Sequence, residues 1–63
     1  MTPATDRFID IKEVQHLIGF SQAWVYEMVR AGVFPSPLKF GRASRWSLHT
    51  VQKWMAEKAR EAA

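Results

Sequence analysis

The chain has 63 residues and a formal net charge of +3 at pH 7, and it contains no cysteine. A chain this short forms one domain at most, and the lack of cysteine excludes disulfide bonds and thiolate metal sites. No apolar run approaches the ~18 residues that a membrane span requires, and the N-terminus lacks a signal-peptide pattern. We therefore expect a small cytoplasmic domain without a membrane partner, and the positive charge favours an anionic partner.

The sequence indicates one domain with short flexible ends. Residues 1–6 are polar and include a proline, so we expect a flexible N-terminus followed by a folded domain over residues 7–60. Residues 61–63 are expected to fray. No repeat, linker or low-complexity stretch divides the chain.

A first helix is predicted from an N-cap pattern at Asp10. Glu13 lies at the third helical position, as in a capping box, and Ile9 before the cap can pack on Val14. Apolar residues then recur at helical spacing up to Gly19, whose positive φ commonly ends a helix. The pattern predicts a helix of about two turns.

Residues 19–32 are typical of a tight turn followed by a second short helix. Ser21 is a good N-cap, Gly32 is the expected C-cap, and Phe20 is expected to pack under the turn. The inward stripe at helical spacing is Val25, Met28 and Val29. The outward arc and its flanks can donate, accept and stack, and they hold Gln22, Ala23, Trp24, Tyr26, Glu27 and Arg30. A helix, a short turn with glycine and a second helix form the helix-turn-helix plan, whose second helix enters the DNA major groove.

A β-hairpin is predicted after the second helix, because Pro35 and Pro37 exclude helix there. Residues 38–40 and 44–46 alternate apolar and polar side chains, and residues 41–43 between them are predicted to form the turn. We expect three side chains to face the core, namely Leu38, Phe40 and Trp46. Lys39 and Arg45 are expected to face solvent.

A longer third helix is predicted from the N-cap residue Ser47 to about residue 60. Its inward stripe is Leu48, Val51, Trp54 and Met55. Trp46 and Trp54 are both expected in the core. The predicted fold class is mainly α with a small β-hairpin: a winged helix-turn-helix, in which the helix-turn-helix is followed by a hairpin wing and a C-terminal helix.

The order of several segments resembles one known family. These segments are residues 8–14 (FIDIKEV), 19–21 (GFS), 25–26 (VY), 32–42 (GVFPSPLKFGR), 45–46 (RW) and 51–55 (VQKWM). They are similar to the AlpA family of small prophage regulators, which resemble MerR-type winged helix-turn-helix domains and small excisionases. The resemblance covers roughly residues 7–58, and residues 32–46 are its most specific part.

The resemblance implies a helix in the major groove and a wing whose basic residues touch the DNA backbone or minor groove. By position, the helix residues are Ser21, Gln22, Trp24, Tyr26 and Glu27, and the wing residues are Lys39, Arg42 and Arg45. Family members usually carry a basic residue in place of Glu27 and often a small hydroxyl residue in place of Trp24. The resemblance therefore carries over no target sequence.

The residues themselves leave two interpretations open at most of these positions. Glu27 and Arg30 either form a surface ion pair or face DNA, where a glutamate can accept from cytosine N4. Trp24 either covers the edge of the core or meets a base, and Tyr26 is expected to bond a phosphate. The three cations around Gly41 are either solvated or bind phosphates and narrow grooves.

No arrangement of catalytic residues is present in the sequence. The chain has no cysteine nucleophile, no glycine-rich phosphate loop and no defensible Ser/His/acid set, and so short a chain has little room for a pocket. His16 and His49 are isolated from other ligands, so surface or capping roles are expected for both. We therefore expect no enzyme, no cofactor and no metal site.

We predict a monomeric domain that binds double-stranded DNA sequence-specifically. Its role would be that of a prophage or mobile-element transcriptional regulator, or of an excisionase-like recombination directionality factor. Self-association on adjacent sites and an integrase or recombinase are the further partners expected. The alternative is a protein-interaction module that binds a partner groove through Trp24, Tyr26 and Arg30.

Overall fold

A computed structural model of the protein describes residues 6–62. The elements in chain order are β1 (Phe8–Ile9), α1 (Ile11–Ile18), α2 (Gln22–Arg30), β2 (Leu38–Phe40), β3 (Ala43–Ser47) and α3 (Leu48–Ala62). The strands form an antiparallel sheet in the order β1-β3-β2, so β3 lies in the middle. The predicted winged helix-turn-helix class is confirmed.

α1 begins and ends where the sequence predicts. The Asp10 carboxylate accepts the Glu13 backbone N–H at 3.0 Å, and Gly19, with φ of 76°, donates its N–H to the Gln15 carbonyl at 2.8 Å. In a capping box the Glu13 carboxylate would accept the Asp10 backbone N–H. Here it pairs instead with the Arg7 guanidinium, through contacts of 2.8 and 3.2 Å. Asp10 thus stabilises the helix start, while Glu13 ties it to the preceding segment.

The ends of α2 are also set by local chemistry. The Ser21 hydroxyl accepts the Trp24 backbone N–H at 3.2 Å. At the other end Gly32 has φ of 78°, and the N–H groups of Gly32 and Val33 donate back to last-turn carbonyls at 3.1 and 2.9 Å. This is the Schellman arrangement, which needs a residue that tolerates positive φ. The turn before α2 and the turn after it are therefore both closed by glycine.

The core takes one side chain from nearly every element. Six residues are 0–2% exposed: Ile9, Val14, Val25, Phe34, Trp46 and Val51. Each helix supplies one valine to this cluster, and the middle strand supplies the large indole of Trp46. Half-buried apolar residues from all three helices pack around it.

Two tryptophans fix the loop between α2 and β2. The Trp46 indole N–H donates to the Pro35 carbonyl at 2.9 Å, and the Trp54 indole N–H donates to the Val33 carbonyl at 2.8 Å. Phe34 lies between Val33 and Pro35 in the chain, and its ring packs edge-on against Trp54 with 4.8 Å between the ring centroids. Trp46 is buried in the core, as predicted, whereas Trp54 is half-buried and packs against the core, so the prediction for Trp54 is met in part.

The turn of the wing is one residue shorter than predicted. Phe40 pairs with Ala43, so the turn consists of Gly41 and Arg42 rather than residues 41–43. The φ of Gly41 is 64°, whereas the φ of Arg42 is not positive. This is the pattern of a type II′ turn, which suits the right-handed twist of a two-residue hairpin.

The observed register reverses the predicted sidedness of β2. Leu38 pairs with Arg45, so Leu38 and Phe40 lie on the sheet face opposite to Trp46, with exposures of 50% and 52%. The prediction that they face the core is wrong, and Lys39 instead shares the face of Trp46. Because side chains alternate with a period of two, shortening the turn by one residue moves the whole set of β2 to the other face.

The short strand β1 is not predicted by the sequence. Ile9 pairs with Trp46 and Phe8 pairs with Ser47, which adds a third strand to the predicted hairpin. The Arg7 carbonyl continues this pairing by accepting the Leu48 N–H at 2.9 Å. Two residues show no alternating pattern, so the strand is stabilised by its partner rather than by its own sequence.

Asp6 caps the start of α3. Its carboxylate accepts hydrogen bonds from the Ser47 hydroxyl at 2.6 Å and from the His49 backbone N–H at 2.9 Å. Both bonds lower the pKa of Asp6 below its usual 3.8, and the bond from Ser47 has the larger effect. Of the segment expected to be flexible, residues 1–5 lie outside the described residues, while Asp6 is held in place. α3 itself continues to Ala62, past its predicted end near residue 60.

We predict that Asp6→Asn destabilises the fold in a pH-dependent manner. Because the folded pKa is lowered, the carboxylate stabilises the protein above pH 3.8, and this contribution is lost as pH falls through the lower folded pKa. Melting temperatures measured from pH 7 down to pH 3 should therefore converge for the parent and Asp6→Asn. Glu57→Gln, a neutralisation on the exposed face of α3, is the control and should follow the parent throughout.

We predict that Trp46→Ala removes most of the stability of this small domain, by roughly 3–5 kcal/mol. Trp46→Phe is the matched variant. It loses the bond to the Pro35 carbonyl, but it should reduce the stability less than Trp46→Ala because it keeps an aromatic ring in the core. Urea unfolding followed by circular dichroism measures both. Equal losses for the two variants would contradict the central packing role of the indole.

Candidate nucleic-acid interface

The outward arc of α2 is open to solvent along its whole length. Gln22, Ala23, Glu27 and Arg30 are all exposed, while Val25 on the opposite side is fully buried. Among residues 6–62 the ion pairs are Arg7–Glu13 and Lys58–Glu61, so Glu27 and Arg30 do not pair with each other. Both charges remain available to a partner.

The two flanks of α2 are aromatic and rest on different parts of the molecule. Tyr26 lies against Trp46 of β3, with 6.1 Å between ring centroids. Trp24, on the other flank, stacks on Phe20 of the preceding turn at 4.1 Å with an interplanar angle of 15°. Both Trp24 and Tyr26 are half-buried at the edge of the core. This agrees in part with the interpretation in which Trp24 covers the edge of the core.

Ser21 and Phe20 occupy the turn that leads into α2. The Ser21 hydroxyl oxygen accepts the capping bond from the Trp24 N–H, which leaves its own O–H able to donate to a partner. Phe20 was expected to pack under the turn, but it is 48% exposed. The turn therefore presents an aromatic ring to solvent at the N-terminal end of the exposed arc.

The structure separates the three wing cations. Arg42 lies exposed in the turn, and Lys39 is exposed with its ammonium donating to the Ser44 hydroxyl at 2.7 Å. Arg45 is half-buried and donates to the Ser44 carbonyl at 2.9 Å. Lys39 lies on the sheet face of Trp46, the face on which α2 packs, whereas Arg45 lies on the opposite face.

A polar groove beside the turn was not identified from the sequence. It is a shallow cavity of about 420 Å³ lined by Lys12, Gln15, His16, Gly19 and Phe20. The signal was present as three polar residues at positions i, i+3 and i+4, which share one face of a helix. This groove extends the polar surface of α2 onto α1.

The part of the chain that the structure describes offers no group of three or more His, Cys, Asp or Glu side chains arranged to hold a metal ion. His16 and His49 are both exposed, and His49 takes part in the α3 cap through its backbone. Within residues 6–62, no helix combines the length and the apolar character that a bilayer span would need.

Comparison with known families agrees with this geometry. A protein-family model described as "Helix-turn-helix domain" matches residues 8–59. The chain belongs to this helix-turn-helix family. The matched residues run from β1 into α3 and include α1, α2 and the wing, and helix-turn-helix domains bind DNA. DNA is therefore the partner that family membership supports for this helix-turn-helix domain.

One relative comes from a bacteriophage. The domain is 40% identical over 52 residues to "Uncharacterized protein ORF88" of Enterobacteria phage P4, an alignment that covers 81% of this chain and 59% of the relative. The chain thus spans less than two thirds of the length of that relative. No solved structure is significantly similar to the chain.

We predict that the wing cations contribute unequally to DNA affinity. Arg42→Ala should weaken binding to any duplex and flatten the slope of log affinity against log salt by about one unit, because one phosphate contact is lost. Arg45→Ala, on the far face of the sheet, should have the smaller effect. Lys53→Ala, which makes the same charge change on α3, is the control in a fluorescence-anisotropy salt titration. An unchanged slope for Arg42→Ala would mean that the wing does not contact DNA in the proposed way.

Proposed function

We propose that this domain binds double-stranded DNA sequence-specifically, with α2 in the major groove and the wing on the adjacent backbone or minor groove. The observation that carries the proposal is the exposed arc of α2, whose Glu27 and Arg30 lie three residues apart and form no ion pair within residues 6–62. A helix buried on one side by Val25 is held rigidly enough to present this arc to a groove. Family membership supports DNA as the partner.

The position of each α2 side chain supports a distinct role. Gln22 and Glu27 would lie closest to base edges if the N-terminal half of the helix enters the groove, and the Glu27 carboxylate would accept from cytosine N4. Tyr26, on the flank toward the wing, would bond a phosphate. Arg30, one turn further along, would lie nearer the backbone, and Ser21 would hold the helix end against it.

The biological role that we propose is that of a prophage or mobile-element regulator similar to the AlpA family, acting on transcription or as an excisionase-like factor without enzymatic activity. The phage origin of one relative supports this setting. Both roles use the same DNA contacts, and the second adds an integrase or recombinase as partner.

Self-association on adjacent sites is part of the proposal. A single module of this size covers only about 600–1,000 Å² of its own surface on DNA, which limits both affinity and site length. Several copies bound side by side would increase both the affinity and the length of DNA that is recognised. Binding isotherms on duplexes with one and two adjacent sites test this, since copies that contact one another bind the paired sites cooperatively.

The alternative function is protein binding through Trp24, Tyr26 and Arg30. Trp24 and Tyr26 are half-buried against the core, so much of their aromatic surface is already used, while Arg30 is exposed. A salt titration separates the two functions, because DNA binding weakens steeply with salt and an aromatic-anchored protein contact does not.

We predict that Glu27→Arg raises affinity for any duplex and broadens base preference. The change turns a repulsive charge into an attractive one, and it removes the carboxylate that rejects acceptor-rich base edges. Binding profiles over a randomised duplex library measure both effects. Glu57→Arg makes the same charge change on the exposed side of α3, so it controls for net charge and should leave the base preference unchanged.

Two outcomes would count against the proposal. Identical base preferences for the parent and Glu27→Arg would place Glu27 outside the groove and move specificity to other residues. A parent protein with no sequence preference would contradict sequence-specific regulation altogether, and would leave non-specific DNA binding or the protein-interaction alternative.

A further inference from the structure

An aromatic ledge, formed by Phe20 stacked on Trp24, lies at the N-terminal end of α2. Phe20 lies in the turn one residue before the N-cap Ser21, and its ring stacks on Trp24 at 4.1 Å with an interplanar angle of 15°. Trp24 in turn packs against the core. Phe20 is thus held from behind, while 48% of its surface is open to solvent.

The surroundings of this ledge place it between two polar surfaces. On one side is the exposed start of α2 with Gln22 and Ala23. On the other side Phe20 lines the groove that also contains Lys12, Gln15 and His16 of α1. Phe20 therefore lies next to the start of α2 and shares the groove with Lys12, a cation suited to a phosphate.

The ring itself offers neither donor nor acceptor, which restricts the base edges that it can meet. Thymine is the one base of the four whose major-groove edge carries an apolar group, the C5-methyl, and phenylalanine is among the residues suited to contact it. The amino, carbonyl and ring-nitrogen groups of the other bases would lose water against the ring without gaining a hydrogen bond. An aromatic ledge therefore selects for a methyl group and against polar edges.

We propose that Phe20, backed by Trp24, contacts the C5-methyl group of a thymine in the major groove and specifies thymine at one position of the target. The inference rests on the proposed role of α2 as the helix that enters the groove. It adds a specificity-determining residue from the turn, outside the helix itself.

Deoxyuridine substitution tests the contact, because it removes the thymine methyl and leaves the base-pairing edge and the other major-groove groups unchanged. Starting from a duplex selected in the randomised library, each thymine is replaced by deoxyuridine in turn. Replacement at one position should lower the affinity of the parent for the duplex about fourfold, which is the effect of losing one buried methyl group. Phe20→Ala should bind the thymine and deoxyuridine duplexes at that position equally well.

Phe8→Ala is the matched control. Phe8 is as exposed as Phe20, at 52% against 48%, and its ring also packs on another aromatic, Phe40, at 5.2 Å. It lies on the outer face of the sheet, so Phe8→Ala should keep the full thymine preference of the parent. Phe20→Leu, which retains apolar bulk, should keep part of the preference and provides a second variant if Phe20→Ala folds poorly.

The possible failures are distinguishable. If the parent selects a sequence but no thymine responds to loss of its methyl, or if Phe20→Ala keeps the fourfold ratio, the thymine contact is wrong and sequence-specific binding stands. If the parent selects no sequence, the proposed function fails and the thymine contact fails with it.

Discussion

The burial of Trp46 is the contact on which the rest of this domain depends. The residue lies on the middle strand, pairs with Ile9 of β1, donates its indole N–H to the Pro35 carbonyl at 2.9 Å, and lies beside Tyr26 of α2. One side chain thus joins the sheet, the loop before the wing and the second helix. In a chain with so small a core, such a shared contact sets the wing and α2 at a fixed relative position.

The fixed position of α2 determines which of its side chains are exposed. α2 alone would be a nine-residue helix and only marginally stable in water, because isolated helices this short lack enough propagation to offset nucleation. Burial of Val25 on one side holds the helix and leaves the opposite arc open. The same burial orients the flanking rings, so Phe20 and Trp24 stand at one edge of the arc and Tyr26 at the other.

The part of the site that local sequence predicts is the part set by local chemistry. The N-cap residues Asp10 and Ser21 and the helix-ending Gly19 and Gly32 act within one turn of their own positions, so their side-chain and backbone preferences suffice to locate the helices. The exposed arc of α2 follows from the same helical period. For this reason the exposed candidate residues on α2 follow from the local sequence.

The sheet could not be predicted in the same way, because its register depends on long-range pairing. Shortening the turn from three residues to two moves Leu38 and Phe40 together from the face of Trp46 to the opposite face, and the sequence around Gly41 is compatible with both turns. Likewise β1 and the Asp6 cap join residues about 40 positions apart, as in the 2.6 Å bond from Ser47 to Asp6, and no local pattern encodes such a contact.

The sequence by itself therefore determined the helix-turn-helix, the presence of a wing and the polar arc of α2, since each follows from periodicity, capping and turn residues within a few positions. Only the tertiary structure decided which face of the sheet is buried, that Arg45 and Lys39 point to opposite sides, and that Phe20 stands exposed on Trp24. Those features depend on how separate elements pack, and packing is settled by the whole core rather than by any one segment.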